Sequence, residues 1–147
     1  MFTRRGHGIK NILALRGDIP DGMEQKNFDF KYANELVKYI KNHSKYSIAV
    51  AGYPEVHIEC NSLHEDLKNL KNKVDCGACA IFTQMCFDNS AFYKFLENAR
   101  KMGIKVPISF GVLPIMSFKQ LSKMLLMGRE VFCPGIFYFT GNCFPAK

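Results

Sequence analysis

Four short apolar runs punctuate the chain: Ile12 to Leu15, Ser47 to Ala51, Ala80 to Phe82 and Val106 to Ile108. Each breaks into a polar or glycine-bearing loop, as a buried parallel strand does where it ends. Between the runs the apolar period turns helical. Ala33, Leu36, Val37 and Ile40 share one face of a helix that stops near Asn42 to Ser44. Ser62 and Glu65 form a capping box that opens a second helix, with Leu63, Leu67, Leu70 and Val74 as its buried stripe and Gly77 at its end. A third helix, entered through Asp88, Asn89 and Ser90, turns Phe92, Phe95, Leu96 and Ala99 inward and closes at Gly103. Ser117 to Gln120 repeats the capping pattern ahead of a fourth helix with Leu121, Met124 and Leu125 inward, ending at Gly128. Pro107 fits only near the start of the fourth strand.

Repeated strand-to-helix units predict an α/β fold of parallel strands, with its chemistry at the carboxyl ends of those strands. The ends are Arg16-Gly17-Asp18, Tyr53 with His57, Thr83-Gln84, and Gly111 with Pro114. On the second helix Asp66, Asn69 and Lys73 stand at i, i+3 and i+7, so three polar side chains of different type share one face beside the apolar stripe. From Arg129 the regularity fails, and Phe132 to Lys147 has neither a helical nor a strand period. The chain therefore divides into a β/α domain over 1–128 and an irregular tail over 129–147.

A length of 147 residues suits one domain, and 48% apolar with 22% charged residues is ordinary for a globular protein. No apolar run approaches the roughly 18 residues of a membrane span, and no leader pattern precedes Ile12. Six cysteines without such a leader are expected to be reduced thiols in the cytoplasm. The net charge of +7 has two readings. Lysines at 38, 41, 45, 68, 71, 73, 101, 105, 119 and 123 fall on helix faces and ends, solvated there. Alternatively the charge attracts an anionic ligand, such as a nucleotide cofactor or an acidic substrate. Nucleic acid is not expected, because no basic block is interleaved with aromatics.

Asp18 at a strand end can accept hydrogen bonds from ring N–H groups or favour a cationic intermediate, and Arg16 can grip phosphate or carboxylate in bidentate fashion. The plainer alternative is a surface ion pair with a turn glycine. His57, Glu59, Cys60 and His64 are all zinc-ligating types, but their spacing fits no zinc pattern, so no metal is expected. Cys76-Gly77-Ala78-Cys79 follows a helix and enters a strand, the reverse of a redox CxxC, and reads as small buried thiols. Gly6-His7-Gly8 precedes a strand and is no dinucleotide fingerprint.

Several stretches together carry a family resemblance. They are Asn11-Ile12-Leu13-Ala14-Leu15-Arg16-Gly17-Asp18, Val50-Ala51-Gly52-Tyr53-Pro54-Glu55-Val56-His57, Asp66 through Ala78, Thr83-Gln84 with Phe87, and Gly111-Val112-Leu113-Pro114-Ile115 with Phe118. In order and spacing, from Gly8 to Gly128, the chain resembles the methylenetetrahydrofolate reductases. The resemblance implies a (β/α)8 TIM-type barrel, here partial with about four units, that carries FAD at its strand ends. It implies an oxidoreductase: NADH or NADPH gives a hydride to the flavin, which reduces 5,10-methylenetetrahydrofolate to 5-methyltetrahydrofolate for methionine synthesis. By the same resemblance Leu15, Arg16, Gly17 and Asp18 lie along the flavin, and Tyr53, His57, Asp66, Asn69, Lys73 and Ala78 contact the rest of the FAD. Asp18 also faces the pterin ring, Gln84 bonds the pterin or the nicotinamide, and Gln120 lines the substrate cleft.

The chain departs from the family pattern at Ile58 and Phe110, where proline is usual, at Asn72, where many members carry a charge, and at Met124, where some have an aromatic. A complete barrel takes about 250 residues. The expectation is therefore that the segment carrying the family's general-acid glutamate and the strands that clasp the folate tail are missing, leaving little or no turnover. The alternative is a non-catalytic chain that binds flavin weakly or joins a full-length subunit through its open edges; a homo-oligomer is also open.

Overall fold

The computed structural model describes residues 8–17, 29–57, 60–114, 116, 117, 119 and 120. Within these the chain runs β1 (Asn11–Ala14), α1 (Ala33–His43), β2 (Ser47–Gly52), α2 (Leu63–Asp75), β3 (Ala80–Met85), α3 (Asn89–Lys101) and β4 (Ile108–Gly111). The four strands form one parallel sheet in the order β1-β2-β3-β4. Every strand pairs with its neighbour in sequence, the order of a β/α barrel, without the reversal that marks a doubly wound sheet. The α/β reading holds, and the sheet is consistent with part of a TIM-type barrel. No helix among the described residues is long and apolar enough to cross a membrane.

Alternation along the strands gives the sheet two unlike faces. Ala14, Ile48, Val50 and Ile81 point into a core with Val37, Leu67, Leu70, Phe95, Ala99 and Ile104. Full burial of each large side chain stabilises the fold by about 1.5–3 kcal/mol. Gly52 is required by this packing, since a Cβ there would lie 2.9 Å from Ile81 Cγ2 and 3.2 Å from Phe95 Cζ. On the opposite face Leu13 is 48% and Phe82 50% exposed. That is the face a closed barrel keeps inside.

Each strand differs from the sequence reading at one boundary or both. β1 ends at Ala14, so Leu15 lies just beyond it, and β3 runs on through Gln84 to Met85. β4 begins only at Ile108, because the carbonyl of Val106 is taken by Arg100 Nη1 at 3.0 Å and Pro107 has no N–H to give. The register between β3 and β4 shifts between Phe82 and Met85, where the Gly111 N–H bonds to Thr83 Oγ1 at 3.0 Å. A Cβ on Gly111 would sit 2.5 Å from the Thr83 carbonyl oxygen, so only glycine allows the strands to approach.

The helix ends follow their predicted caps with one change. Ser62 Oγ accepts the Glu65 N–H at 3.2 Å, but Glu65 reaches back to the N–H of Asn61, one residue before the cap. Ser117, Gln120 and Met116 repeat this arrangement. Gly77 closes α2 through its N–H to Val74 O. The CxxC is not buried as expected: Cys79 is exposed and Cys76 half-buried. Cys79 lies outside the core because its N–H and thiol both turn to Ile48 O, at 2.8 and 3.4 Å. The loop over 21–28, the body of the predicted fourth helix and the tail lie outside the described residues.

Candidate functional site

β2 delivers the chain to the carboxyl rim at Gly52, and the segment from Tyr53 to His57 turns sharply there. The Val56 N–H closes the turn on Tyr53 O at 3.2 Å, and the rings of Tyr53 and His57 meet edge to face at 4.6 Å. Val56 has φ 70°, a left-handed backbone on a β-branched residue. Such a conformation costs about 1–3 kcal/mol and persists only where surrounding contacts impose it.

The imposing contacts come from α2. Asp66, 5% exposed in its first turn, accepts the His57 N–H on Oδ2 at 3.2 Å and the Cys60 thiol on Oδ1 at 3.9 Å. Asn69 Nδ2 donates to the same thiol at 3.6 Å. Two turns along from Asp66, Lys73 Nζ donates to Ala51 O at 3.3 Å and lies 5.9 Å from the centre of the Tyr53 ring. The polar stripe at i, i+3 and i+7 is therefore applied against the segment that leaves β2. Lys73 is not the solvated surface lysine that charge counting suggests, because its stem and ammonium are drawn under that segment.

Burial lowers the pKa of Lys73 below its ordinary value, and the like charge of Arg16 pushes the same way, against the pull of Asp66 and Cys60. Arg16 at the end of β1 and Lys73 on α2 are thus near enough to feel each other's charge. Cys60 is pushed up by burial first and by the Asp66 carboxylate second, so its thiol stays protonated. Arg16 is half-buried, and beside it an open cavity of about 220 Å³ is lined by Leu15, Arg16, Asp29, Phe30, Tyr32, Ala33 and Leu36, so one carboxylate shares it with the guanidinium. Leu15 is half exposed over this space. A guanidinium beside exposed apolar surface, with a second cation on α2, suits an elongated ligand with phosphates and a flat ring.

The remaining expected site residues fall as follows. Gln84 stands on the inner face of β3, two residues beyond Phe82, and its Oε1 accepts the Met85 N–H at 3.1 Å. Gln120 closes the cap at Met116 and donates to Pro114 O at 3.4 Å. Ala78 is not brought to the rim. It is buried in the core, two residues before β3 begins, at the amino ends of the strands. Asp18, Ile58 and Glu59 lie outside the described residues.

Sequence reasoning missed three features of the rim. Cys60, which it weighed only as a zinc ligand, binds Asp66 and Asn69 instead. Thr83 is buried and ties β3 to β4. Cys86, buried at the end of β3, donates its thiol to Asp88 O at 3.2 Å, and its pKa is raised by burial first and then by the nearby Glu55.

The family profile described as methylenetetrahydrofolate reductase matches residues 3–137, running past Gly128. The 5,10-methylenetetrahydrofolate reductase of Escherichia coli K12 is 44% identical over 117 residues, which are 80% of this chain and 38% of that protein. The namesake from Buchnera aphidicola is 40% identical over 122 residues, 82% of this chain and 40% of that one. Methylenetetrahydrofolate reductase (NADH) 1 of Arabidopsis thaliana is 43% identical over 138 residues, 83% of this chain and 23% of its own length. The chain thus spans well under half the length of these curated relatives. Profile, relatives and a parallel sheet whose strands pair in chain order agree on one conclusion: the chain belongs to the methylenetetrahydrofolate reductase family.

Proposed function

We propose that this chain carries part of the flavin and folate site of a methylenetetrahydrofolate reductase, an NAD(P)H-dependent oxidoreductase that forms 5-methyltetrahydrofolate. One observation carries the reading: from one face of α2 the buried Asp66 holds the strained turn after β2 by the His57 N–H, and the half-buried Lys73 reaches the Ala51 carbonyl at the end of that strand.

The donor set fits FAD. Arg16 and Lys73 offer cations for its diphosphate, and Leu15 offers apolar surface to its ring. Tyr53 and His57 flank the nucleotide from the turn, while Asp66 holds the His57 backbone in place and Asn69 steadies Cys60. When bound, FAD supplies the two-electron relay between reduced pyridine nucleotide and the methylene carbon of the folate. Asp18 accepts hydrogen bonds from the N–H groups of the pterin and favours its cationic form by charge. Gln84 presents an amide to the pterin or the nicotinamide from the inner face of β3, and Gln120 stands beside the folate cleft.

The test is to purify the chain, load it with FAD, remove free flavin and record visible absorbance alongside NAD(P)H oxidation with methylenetetrahydrofolate present. Retained flavin that NAD(P)H bleaches supports the reading, and a chain that retains none overturns it. A second reading, flavin binding without turnover, is favoured by the four strand ends among the described residues, half the number in a closed barrel. Flavin that is retained but never reduced decides for that one.

A further inference from the structure

We infer that Thr83 is a positioning residue for the ligand contact at Gln84: its hydroxyl holds open a one-residue bulge in β3 that sets how the Gln84 amide is presented. This rests on the reading of Gln84 as a contact to the pterin or the nicotinamide. β3 lies between β2 and β4, so both of its partners belong to the sheet already described. Against β2 the register is regular to its end, with Ala51 beside Phe82 and Gly52 beside Thr83. Against β4 it is regular only as far as Phe82 beside Ser109, and the next pair is Met85 with Gly111. β3 thus advances three residues where β4 advances two, and the surplus falls on Thr83 and Gln84. Bulges of this kind re-aim a side chain next to an active site.

Two contacts hold the bulge. The Gly111 N–H donates to Thr83 Oγ1 at 3.0 Å, so a side-chain hydroxyl takes the place of a backbone carbonyl in the ladder. Gly111 is also pressed against the displaced backbone. The atoms nearest the place of a Cβ on it are Thr83 O at 2.5 Å, Gln84 C at 3.3 Å and Met85 N at 3.3 Å. The peptide units on both sides of Gln84 are therefore seated on Gly111, and Thr83, which is buried, ties Gly111 to them.

The consequence shows in the side chain of Gln84, whose Oε1 accepts the Met85 N–H at 3.1 Å. Only an oxygen can take that N–H, so the orientation of the amide is settled and its NH2 group is the end left to donate to a ligand. A carbonyl oxygen or a bare ring nitrogen is what such a donor recognises. Burial alone does not call for threonine here, because valine fills the same place without a polar atom to satisfy. Without the hydroxyl the Gly111 N–H loses its acceptor, β3 no longer gains from its extra residue, and the peptides around Gln84 shift.

Proton–nitrogen correlation spectra of the ligand-free chain test the positioning apart from the reductase reading. Thr83→Val should move the Gly111 backbone amide and the Gln84 side-chain NH2 signals together, and Thr83→Ser should return both. A Gln84 signal indifferent to Thr83→Val overturns the inference. Binding of 5-methyltetrahydrofolate to the FAD-loaded chain gives the functional arm. Thr83→Val should weaken it about tenfold and Thr83→Ser less than about threefold, with FAD affinity equal in all three proteins. On a Gln84→Ala background Thr83→Val should add nothing, and losses that simply add overturn a role exerted through Gln84. A chain that binds neither FAD nor folate counts against the reductase reading, and the spectra then decide for Thr83 alone. Should Thr83→Val fail to fold, the unaltered chain decides: slow exchange at Gly111 with contacts from the Gln84 side chain to the Met85 amide supports the inference, and a freely rotating Gln84 side chain overturns it.

Discussion

Lys73 Nζ lies 3.3 Å from the carbonyl oxygen of Ala51, so one cation spans from the last turns of α2 to the end of β2. Ala51 pairs with Phe82 of β3, so the lysine links the helix layer to the strand ends where the cofactor is proposed to lie. Replacing Lys73 with methionine is expected to keep the packed stem and weaken FAD binding at least about tenfold, near 1.4 kcal/mol, measured by fluorescence titration. Lys73→Arg should restore part of the affinity. Equal affinity in all three proteins would remove Lys73 from the cofactor site.

The same burial has a pH signature. Because the folded pKa of Lys73 is depressed below 10.5, the unfolded chain binds more protons between the two values. The burial penalty is therefore fully present below the folded pKa and disappears as pH rises towards 10.5. Urea unfolding at a series of alkaline pH values should show the unaltered protein gaining stability relative to Lys73→Met across that window. A constant difference would mean that the ammonium is solvated.

Cys60 titrates in the opposite sense. Burial and then Asp66 raise its thiol pKa above 9.0, so the folded state holds its proton longer and loses stability as pH rises from 9.0 through the folded value. Iodoacetamide at neutral pH should label exposed Cys79 well before Cys60, followed by peptide mass spectrometry. Asp66→Asn should speed the labelling of Cys60 by removing one of the charges that hold the proton there. Labelling of Cys60 first would contradict the contacts with Asp66 and Asn69.

Backbone geometry gives a paired prediction. Val56→Gly removes a left-handed valine, and the relief offsets the lost side chain, so stability should change by no more than about 1 kcal/mol. Gly111→Ala forces a Cβ to 2.5 Å from the Thr83 carbonyl, where backbone must move, and should cost about 2 kcal/mol or more. Thermal denaturation of both variants ranks them, and a reversed order would show that the rim geometry is wrong.

Much of this architecture was legible because periodicity reports which face a residue occupies. The strands, α1, α2, α3 and the closure at Gly77 all follow from apolar spacing and caps. What spacing does not report is where a ladder stops: β4 starts late because Arg100 takes the Val106 carbonyl, a bond six residues long with no period. The site divides in the same way. Asp66, Asn69 and Lys73 were grouped by helical geometry, but their purpose rests on His57, nine residues from Asp66, and Ala51, 22 residues from Lys73. Ala78 rests on the resemblance alone, and the fold buries it ahead of β3, at the other end of the strands. Val56 has no signal in sequence, since nothing about valine announces a positive φ.

The sheet order β1-β2-β3-β4 also bears on how the protein comes into being. Since each strand lies beside the one made just before it, no unit has to wait for a distant segment of chain before it can dock. Synthesis from the amino end can add one strand and its covering helix at a time, each onto a surface already in place. At every stage the growing chain presents a fresh uncharged edge at its newest strand, so the interval between successive units is when a nascent chain is most exposed to pairing with its neighbours on the same messenger.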